Sequence, residues 1–380
     1  MTSRHDLAII GLGAMGSSVA FHLARRGARV VGFDRFTPPH DRGSSHGQSR
    51  IIREAYYEDP LYVPLVQRSY ALWQELEAET GETLLRRTGA LLIGPVDGML
   101  VSGSRESAER HGLEYEIRSA AEIVRRHPVL RVNDRLVGLW EPRAGALLPE
   151  KCVEAQLRQA RKNGADLHFA EPVLRWSAGN GGFELSTEKG SYRASKLVIT
   201  AGPWTNRVVG DPGLPLTVER QVQYWFRPVT LAEEFDPARL PIFAWEYRPG
   251  KLFYGFPDLG DGVKIALHHQ GRNTDADAVD RRVGREEVET IRRILREHIP
   301  DLVGPLLRSS VCLYTNTPDL HYLLDFHPEH PGVLIASPCS GHGFKFAQVI
   351  GEICADLLLK GKTNFDLSPF RMDRLRPGKP

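Results

Sequence analysis

Between Asp6 and Gly16 the chain reads Asp-Leu-Ala-Ile-Ile-Gly-Leu-Gly-Ala-Met-Gly, and no other stretch restricts the fold as much. The apolar run Leu7 to Ile10 reads as a buried strand. Gly11, Gly13 and Gly16 then form G-x-G-x-x-G, with Ala14 and Met15 at the opening of a helix. That helix carries Val19, Ala20, Leu23 and Ala24 on one face and ends at Gly27. A second apolar strand, Arg29 to Phe33, ends in Asp34, 18 residues beyond Gly16, with Arg35 next to it. Each part suits a dinucleotide. Gly11 permits a tight turn, Gly13 lets backbone approach a pyrophosphate, and Gly16 lets helix and strand pack closely. The helix N-terminus offers N–H groups and a positive dipole end to phosphates, and Asp34 can accept from a ribose hydroxyl. The motif alone does not choose between FAD and NAD.

The chain has 380 residues, enough for a large core and two domains. A net charge of +2, with no basic cluster interleaved with aromatics, points to neither nucleic acid nor a membrane surface. No apolar run approaches spanning length. The first strand begins within a few residues of Met1, which leaves no room for a signal peptide. The last residues, Pro377-Gly378-Lys379-Pro380, are not a peroxisomal address. Cys152, Cys312, Cys339 and Cys354 show no C-x-x-C spacing, and His168 and the other histidines show no metal-ligand spacing. A cytoplasmic, reduced, metal-free protein is expected, more readily a monomer than an oligomer.

The organisation is interleaved. A long helix is expected around Tyr62, Leu65, Val66, Leu72, Trp73 and Leu76. Short strands follow at Leu91 to Gly94 and Leu136 to Trp140, with helical stretches around Ser107 and Ile123. A helix runs from Glu150 to Asn163 and stops at Gly164. Residues 215–270 alternate apolar and polar, as in an antiparallel sheet. A helix from Glu286 to His298 and a final strand–glycine–helix unit complete the chain.

Two further glycine turns favour FAD. Lys196 to Thr200 reads as a buried strand, and Ala201-Gly202 closes it against the nucleotide site. Ser340-Gly341-His342-Gly343 puts a late helix N-terminus where a flavin carbonyl becomes anionic on reduction, a need that nicotinamide lacks. Binding from the start, middle and end of the chain suits the length of FAD.

These stretches resemble a family, that of monomeric sarcosine oxidase and N-methyltryptophan oxidase, which are FAD-dependent oxidases of secondary amines. The carrying motifs are GLGAMG at Gly11 to Gly16, GSSHGQSRIIREAY at Gly43 to Tyr56, YVPL at Tyr62 to Leu65 and AGPW at Ala201 to Trp204. RQV at Arg220 to Val222, YGFP at Tyr254 to Pro257, VCLYT at Val311 to Thr315 and SGHGFKF at Ser340 to Phe346 follow in family order.

The resemblance implies FAD attached covalently through Cys312, by a thioether to the 8α-methyl. A thiolate is the nucleophile for such a bond, and the plainer alternative is a buried apolar cysteine. Cys152 and Cys354 read as core, and Cys339 is open. The resemblance makes Lys264 the site of oxygen activation beside flavin N5, where the alternative is a lysine on a solvated strand face. His268, of the same strand parity, is placed near the substrate, against the alternative of a partly solvated sheet histidine. His46 and Arg50 are placed beside the flavin ring, Arg53 and Lys345 on the substrate carboxylate, and Tyr254 in the pocket. Arg42 reads as a solvated charge. Other implied FAD contacts are Ser44, Ser45, Trp204, Gly341, Gly343, Phe344 and, besides its place on the carboxylate, Lys345.

The expected fold is α/β. A glutathione-reductase-like FAD-binding Rossmann domain (1–84, 146–214 and 316–380) is interleaved with a mixed-sheet substrate domain (85–145 and 215–315). The expected reaction is oxidation of an N-methyl or other secondary amino acid to an imine, hydrolysed to aldehyde and primary amino acid, with oxygen reduced to hydrogen peroxide. The sarcosine enzymes resembled here carry a methionine near Ala244, and a glycine in the loop Ala55 to Pro60. Both departures leave room for a bulkier or cyclic substrate such as N-methyltryptophan or pipecolate. A nicotinamide dehydrogenase and a non-catalytic FAD-binding subunit remain as alternatives.

Overall fold

Gly11 and Gly16 make the first close contact of the fold. Gly11 has φ +95°, and a Cβ there would lie 2.6 Å from the Thr200 carbonyl oxygen. A Cβ on Gly16 would lie 1.8 Å from the Gly11 oxygen. Bare backbone at both positions lets helix Ala14–Arg25 seat against strand Arg4–Ile10. Strand Arg4–Ile10 runs parallel to Val30–Phe33 on one side and to Ser191–Ile199 on the other, with Ile10 opposite both Phe33 and Ile199. The structure, a computed structural model, describes residues 4–179, 181–210 and 214–375. The sequence Pro377 to Pro380 lies outside the described residues.

These strands are the centre of an eight-stranded sheet that also takes in Val333–Ser337 and Leu323–Phe326 from the end of the chain. Helices Ala14–Arg25, Pro149–Lys162 and Ala347–Lys360 pack together on one face. Their buried residues, among them Phe21, Leu157 and Ile353, join Leu7 and Ile9 in the largest apolar cluster. Cys152 and Cys354 are buried there, as expected. Helix Val63–Thr80 packs on Ala347–Lys360, and its Trp73 Nε1 donates to the Lys345 carbonyl at 3.0 Å.

A nine-stranded sheet forms the second layer, with strands from 90–141 and 217–316. Most of its neighbours are antiparallel, as expected for 215–270, but Ile242–Arg248 pairs parallel with Ala90–Pro95. Its register puts residues in transverse rows. Leu92 pairs with Ala244, Ala244 with Tyr254, Tyr254 with Ala266, Ala266 with Gln223, and Gln223 with Ser310. By two-residue alternation Lys264, His268, Cys312 and Tyr314 point to that same face. The opposite face buries Phe243, Trp245, Phe253 and Ile265 against Ile291 and Leu295 of helix Arg285–His298.

A small third sheet was not expected. Arg50–Ile52 and Leu85–Arg87 both pair with Gly145–Leu147. It fixes the backbone between Arg50 and Arg53. Among the described residues no helix is long and apolar enough to cross a membrane.

The tightest helix contact is testable. A Cβ on Gly351 would lie 2.2 Å from Ser18 Oγ and 2.7–2.8 Å from the Ser18 carbonyl group. The hydroxyl can rotate away, but the backbone cannot. Gly351→Ala gains about 1 kcal/mol of helix propensity, whereas overpacking of this kind costs about 1–3 kcal/mol. A net loss of stability is expected in denaturant melts, and an unchanged or raised midpoint would show that the two helices separate freely.

Candidate active site

A cavity of about 1250 Å³ is lined from both large sheets. Gly11, Gly13, Ala14, Met15, Asp34 and Arg35 line it from the first β–α–β unit, and Ser44, Ser45 and Arg50 from the following loop. Ala201, Gly202 and Trp204 contribute from mid-chain, and Gly341, Gly343, Phe344 and Lys345 from the end. Arg53, Tyr254 and His268 line it as well. Gly16, His46, Lys264 and Cys312 are not on its wall. Gly16 instead serves helix packing. Cys339, whose place was open, lines the cavity and is half-buried; burial pushes its thiol up to about 11.

The nucleotide end fits a dinucleotide. A Cβ on Gly13 would meet nothing nearer than Ser45 Oγ at 3.5 Å, and the Gly13 N–H has no partner among the described residues. The Ala14 N–H differs from expectation, since Ser45 Oγ accepts it at 3.1 Å. Asp34 is less free than expected too. Its Oδ2 accepts from Leu12 N–H at 2.7 Å and its Oδ1 from Phe36 N–H at 2.8 Å. The carboxylate is thus fixed by backbone donors, with its remaining lone pairs for a ligand. Arg35 Nη1 and Trp204 Nε1 both donate to Asp277 Oδ1, at 2.6 and 2.7 Å. The late glycine turn also differs. A 3₁₀ turn, Phe344–Phe346, intervenes before helix Ala347–Lys360, so the α-helix begins beyond the cavity-lining glycines.

At the other end, Arg50 Nη2 donates to the Ser44 carbonyl at 2.7 Å and lies 3.5 Å from Cys312 Sγ. Cys312 is 1% exposed. Lys264 is buried, which rules out the solvated strand face. Its Nζ donates to the Gly47 and Ser49 carbonyls at 2.7 and 2.9 Å, and burial together with Arg50 pushes it well below the ordinary lysine range. His46 is buried, and burial with the charges of Arg50 and Lys264 lowers it to about 3. His268 is held well below its ordinary value by burial and then by His269, and its Nδ1 lies 3.3 Å from the Tyr314 hydroxyl. Tyr254 is raised by burial. Arg42 is exposed, as expected.

The two cations expected on a carboxylate come together. Arg53 Cζ lies 4.5 Å and Lys345 Nζ 5.0 Å from the centre of the Tyr56 ring. Lys345 Nζ donates to the His342 carbonyl at 2.9 Å and to Tyr56 Oη at 3.2 Å. Burial, then Arg53, lowers Lys345 to about 7. Arg53 is not free, however. Its Nη2 donates to Glu58 Oε2 at 2.6 Å and its Nη1 to the Ala55 carbonyl at 2.5 Å. Burial opposes ionisation of Glu58, but Arg53, His342 and Lys345 hold it at about 2. Glu141, raised by burial to about 7, accepts from Glu54 and Ala55 N–H beneath the same loop.

Residues 6–357 match the family described as FAD dependent oxidoreductase (DAO). The chain belongs to that family. It is 43% identical over 379 residues to a monomeric sarcosine oxidase of Streptomyces avermitilis, covering 99% of each chain. It is 37% identical to an N-methyl-L-tryptophan oxidase of Salmonella heidelberg, covering 98% of this chain and 99% of the relative. A glycine oxidase structure from Geobacillus kaustophilus superposes with a TM-score of 0.83 at 22% identity, covering 100% of both chains, and shares the fold. The chain is thus an FAD-dependent oxidoreductase, and the expected α/β fold is the observed one. Among the described residues no cluster of side chains could hold a metal ion.

Sequence reasoning missed Glu58, Tyr57, Tyr314 and Gln223, all on the cavity wall of this oxidoreductase. Glu58 had a signal: an acid five residues after Arg53, behind two aromatics in a loop closed by Pro60. Its pairing with Arg53 is testable. Removing one partner of a buried ion pair costs about 3–5 kcal/mol. Glu58→Gln keeps a hydrogen bond, and the Glu58 side chain is 18% exposed, so the low end is expected. Urea titration at neutral pH reads it. A loss below about 1 kcal/mol, the value of a surface pair, would show that Arg53 is compensated elsewhere.

Proposed function

We propose that the protein oxidises an N-methyl or other secondary amino acid with bound FAD, giving an aldehyde, the primary amino acid and hydrogen peroxide. The observation that carries this reading is the convergence of Arg53 and Lys345 on Tyr56, in the cavity that Tyr254 and His268 also line. The segments 1–84, 146–214 and 316–380 hold FAD and bring Arg53 and Lys345 to the substrate, while 215–315 adds Tyr254 and His268 to the substrate wall and 85–145 extends the same nine-stranded sheet without lining the cavity. When bound, FAD supplies a two-electron acceptor that oxygen regenerates.

The chain's residues bind and orient. The Arg53 fork takes the substrate carboxylate bidentately on exchanging Glu58 for it, and Lys345 adds a second charge. Tyr254 and His268 close the pocket around the amine, and a neutral His268 places no positive charge against it. The neutral amine loses a hydride equivalent and a proton, and water hydrolyses the resulting imine. Lys264 serves the oxygen step from behind the Gly47–Ser49 backbone, and His46 and Arg50 flank the flavin ring. The buried amine at position 264 and the Arg50 guanidinium beside Cys312 support these assignments.

The decisive experiment is a peroxide-coupled screen of secondary amino acids against their methyl esters. The acids are expected to be turned over and the esters poorly. Arg53→Ala is expected to lower kcat/KM at least about tenfold, since a charged hydrogen bond is worth about 1.5–3 kcal/mol. Equal efficiency of acid and ester would remove the carboxylate clamp, and no peroxide with any secondary amine would remove the reading.

Covalent attachment is a separate expectation. Cys312 is the cysteine beside Arg50, and the thioether to the 8α-methyl is assigned to it. Acid precipitation is expected to leave the yellow colour in the pellet, and Cys312→Ala to release it. Colour in the wild-type supernatant would refute the bond.

A further inference from the structure

Behind the Gly341 turn lies a pair that the reaction does not yet use. Glu219 is buried in strand Thr217–Phe226, and its carboxylate is fully engaged. Its Oε1 accepts from Gln221 Nε2 at 2.6 Å and Gly271 N–H at 2.7 Å, and its Oε2 from Asn316 Nδ2 at 2.8 Å. Burial opposes its charge, but these donors and His269 outweigh burial and hold it below the usual carboxylate range. The fourth partner is His269, with Nδ1 3.2 Å from Oε2. On the far side of the ring, His269 Nε2 lies 3.2 Å from the Ser340 carbonyl oxygen. Both ring nitrogens therefore face oxygen atoms, the Glu219 carboxylate on one side and the Ser340 carbonyl on the other.

The backbone is bent to make this contact. His269 has φ +51° and Ser340 φ +45°, a region that side chains other than glycine's adopt only at a cost. Between His269 and the cavity stands the peptide of Ser340 and Gly341. In a trans peptide the N–H points opposite to the carbonyl. With the carbonyl turned to His269, the Gly341 N–H is turned away from it. Gly341 lines the cavity, and its N–H has no partner among the described residues.

We propose that Glu219 and His269 are positioning residues for the cofactor: they aim and polarise the Gly341 N–H, through the Ser340 carbonyl, as a donor to the flavin. A donor to a peptide oxygen strengthens the N–H of the same peptide, because hydrogen bonds in series polarise one another. A donor fixed before reaction favours the reduced, more anionic cofactor over the oxidised one. Neither side chain lines the cavity, so the effect falls on electron transfer and spares substrate binding. No bond is made or broken in the chain of hydrogen bonds.

The test uses the FAD-loaded protein with two variants. His269→Gln keeps an amide donor for the Ser340 carbonyl and loses the ring and its link to Glu219. Glu219→Gln removes the anion, and it places an amide NH₂ among donors. If that variant does not fold, His269→Gln alone decides. The readouts are the flavin midpoint potential, the oxidised flavin spectrum, and the limiting rate and substrate Kd of anaerobic reduction. Expected are a more negative potential, a shifted visible band, reduction slowed by about tenfold, and a substrate Kd within about twofold of wild type. Wild-type potential and reduction rate in His269→Gln would overturn the proposal. Loss of thermal stability or FAD retention alone, with the potential unmoved, would overturn it as well, by assigning the pair a purely structural role. The positioning role presupposes the FAD-oxidase reading, and the two fail separately. Wild type that reduces with a secondary amino acid upholds the reading whatever the variants do.

Discussion

One row of cross-strand pairs in the nine-stranded sheet decides where the chemistry sits. Leu92, Ala244, Tyr254, Ala266, Gln223 and Ser310 stand side by side across six strands. Lys264 and His268 lie two residues to either side of Ala266, and Cys312 two beyond Ser310. A slip of one residue in any of these pairings would turn that strand's contribution to the opposite face. What prevents the slip is the other face, where Phe243, Trp245, Phe253 and Ile265 are buried under helix Arg285–His298. Fully burying a side chain of this size is worth about 1.5–3 kcal/mol. An apolar core on one side of the sheet therefore holds polar groups in register on the other.

Charge is concentrated on that polar side. Arg50, Arg53, Lys264 and Lys345 come from three separate parts of the chain, and the last three are nearly inaccessible to solvent. Burying cations is unfavourable unless partners meet them. Each is met differently. Lys264 donates to two carbonyls, Arg50 to two carbonyls and a sulfur, Arg53 to Glu58, and Lys345 to a carbonyl and a phenol. Only the Arg53 partner is itself a carboxylate.

Several features were legible along the chain because they depend on neighbours in sequence. The β–α–β unit follows from apolar runs and glycines at fixed spacing, and the helices at 63–80, 149–162 and 285–298 follow from periodicity. The family follows from ordered motifs and is met again in relatives that span nearly the whole chain. Less legible were features made by pairing. The small sheet that sets Arg50 to Arg53 unites three short strands from 50–147, each too short for a period to show. Lys264 could have pointed to water by alternation alone. It is buried because the loop Gly47–Ser49, more than 200 residues earlier, covers it. The Glu219–His269 bridge to Ser340 joins three distant segments, and none carries a motif for it.

The sequence by itself determined the α/β fold, the strand–glycine–helix turn at Gly11 to Gly16, and membership of an FAD-dependent oxidoreductase family. Such information is local, resting on which backbone torsions glycine allows and which apolar spacing fits a helix or strand. Only the tertiary structure decided that Arg53 is held by Glu58, that Asp34 is fixed by two backbone donors, and that Cys312 and Lys264 lie behind the cavity wall. The physical reason is that a buried charge takes whichever partner the packing brings within about 3 Å, and that partner is set by sheet register and loop closure between segments that sequence order keeps apart.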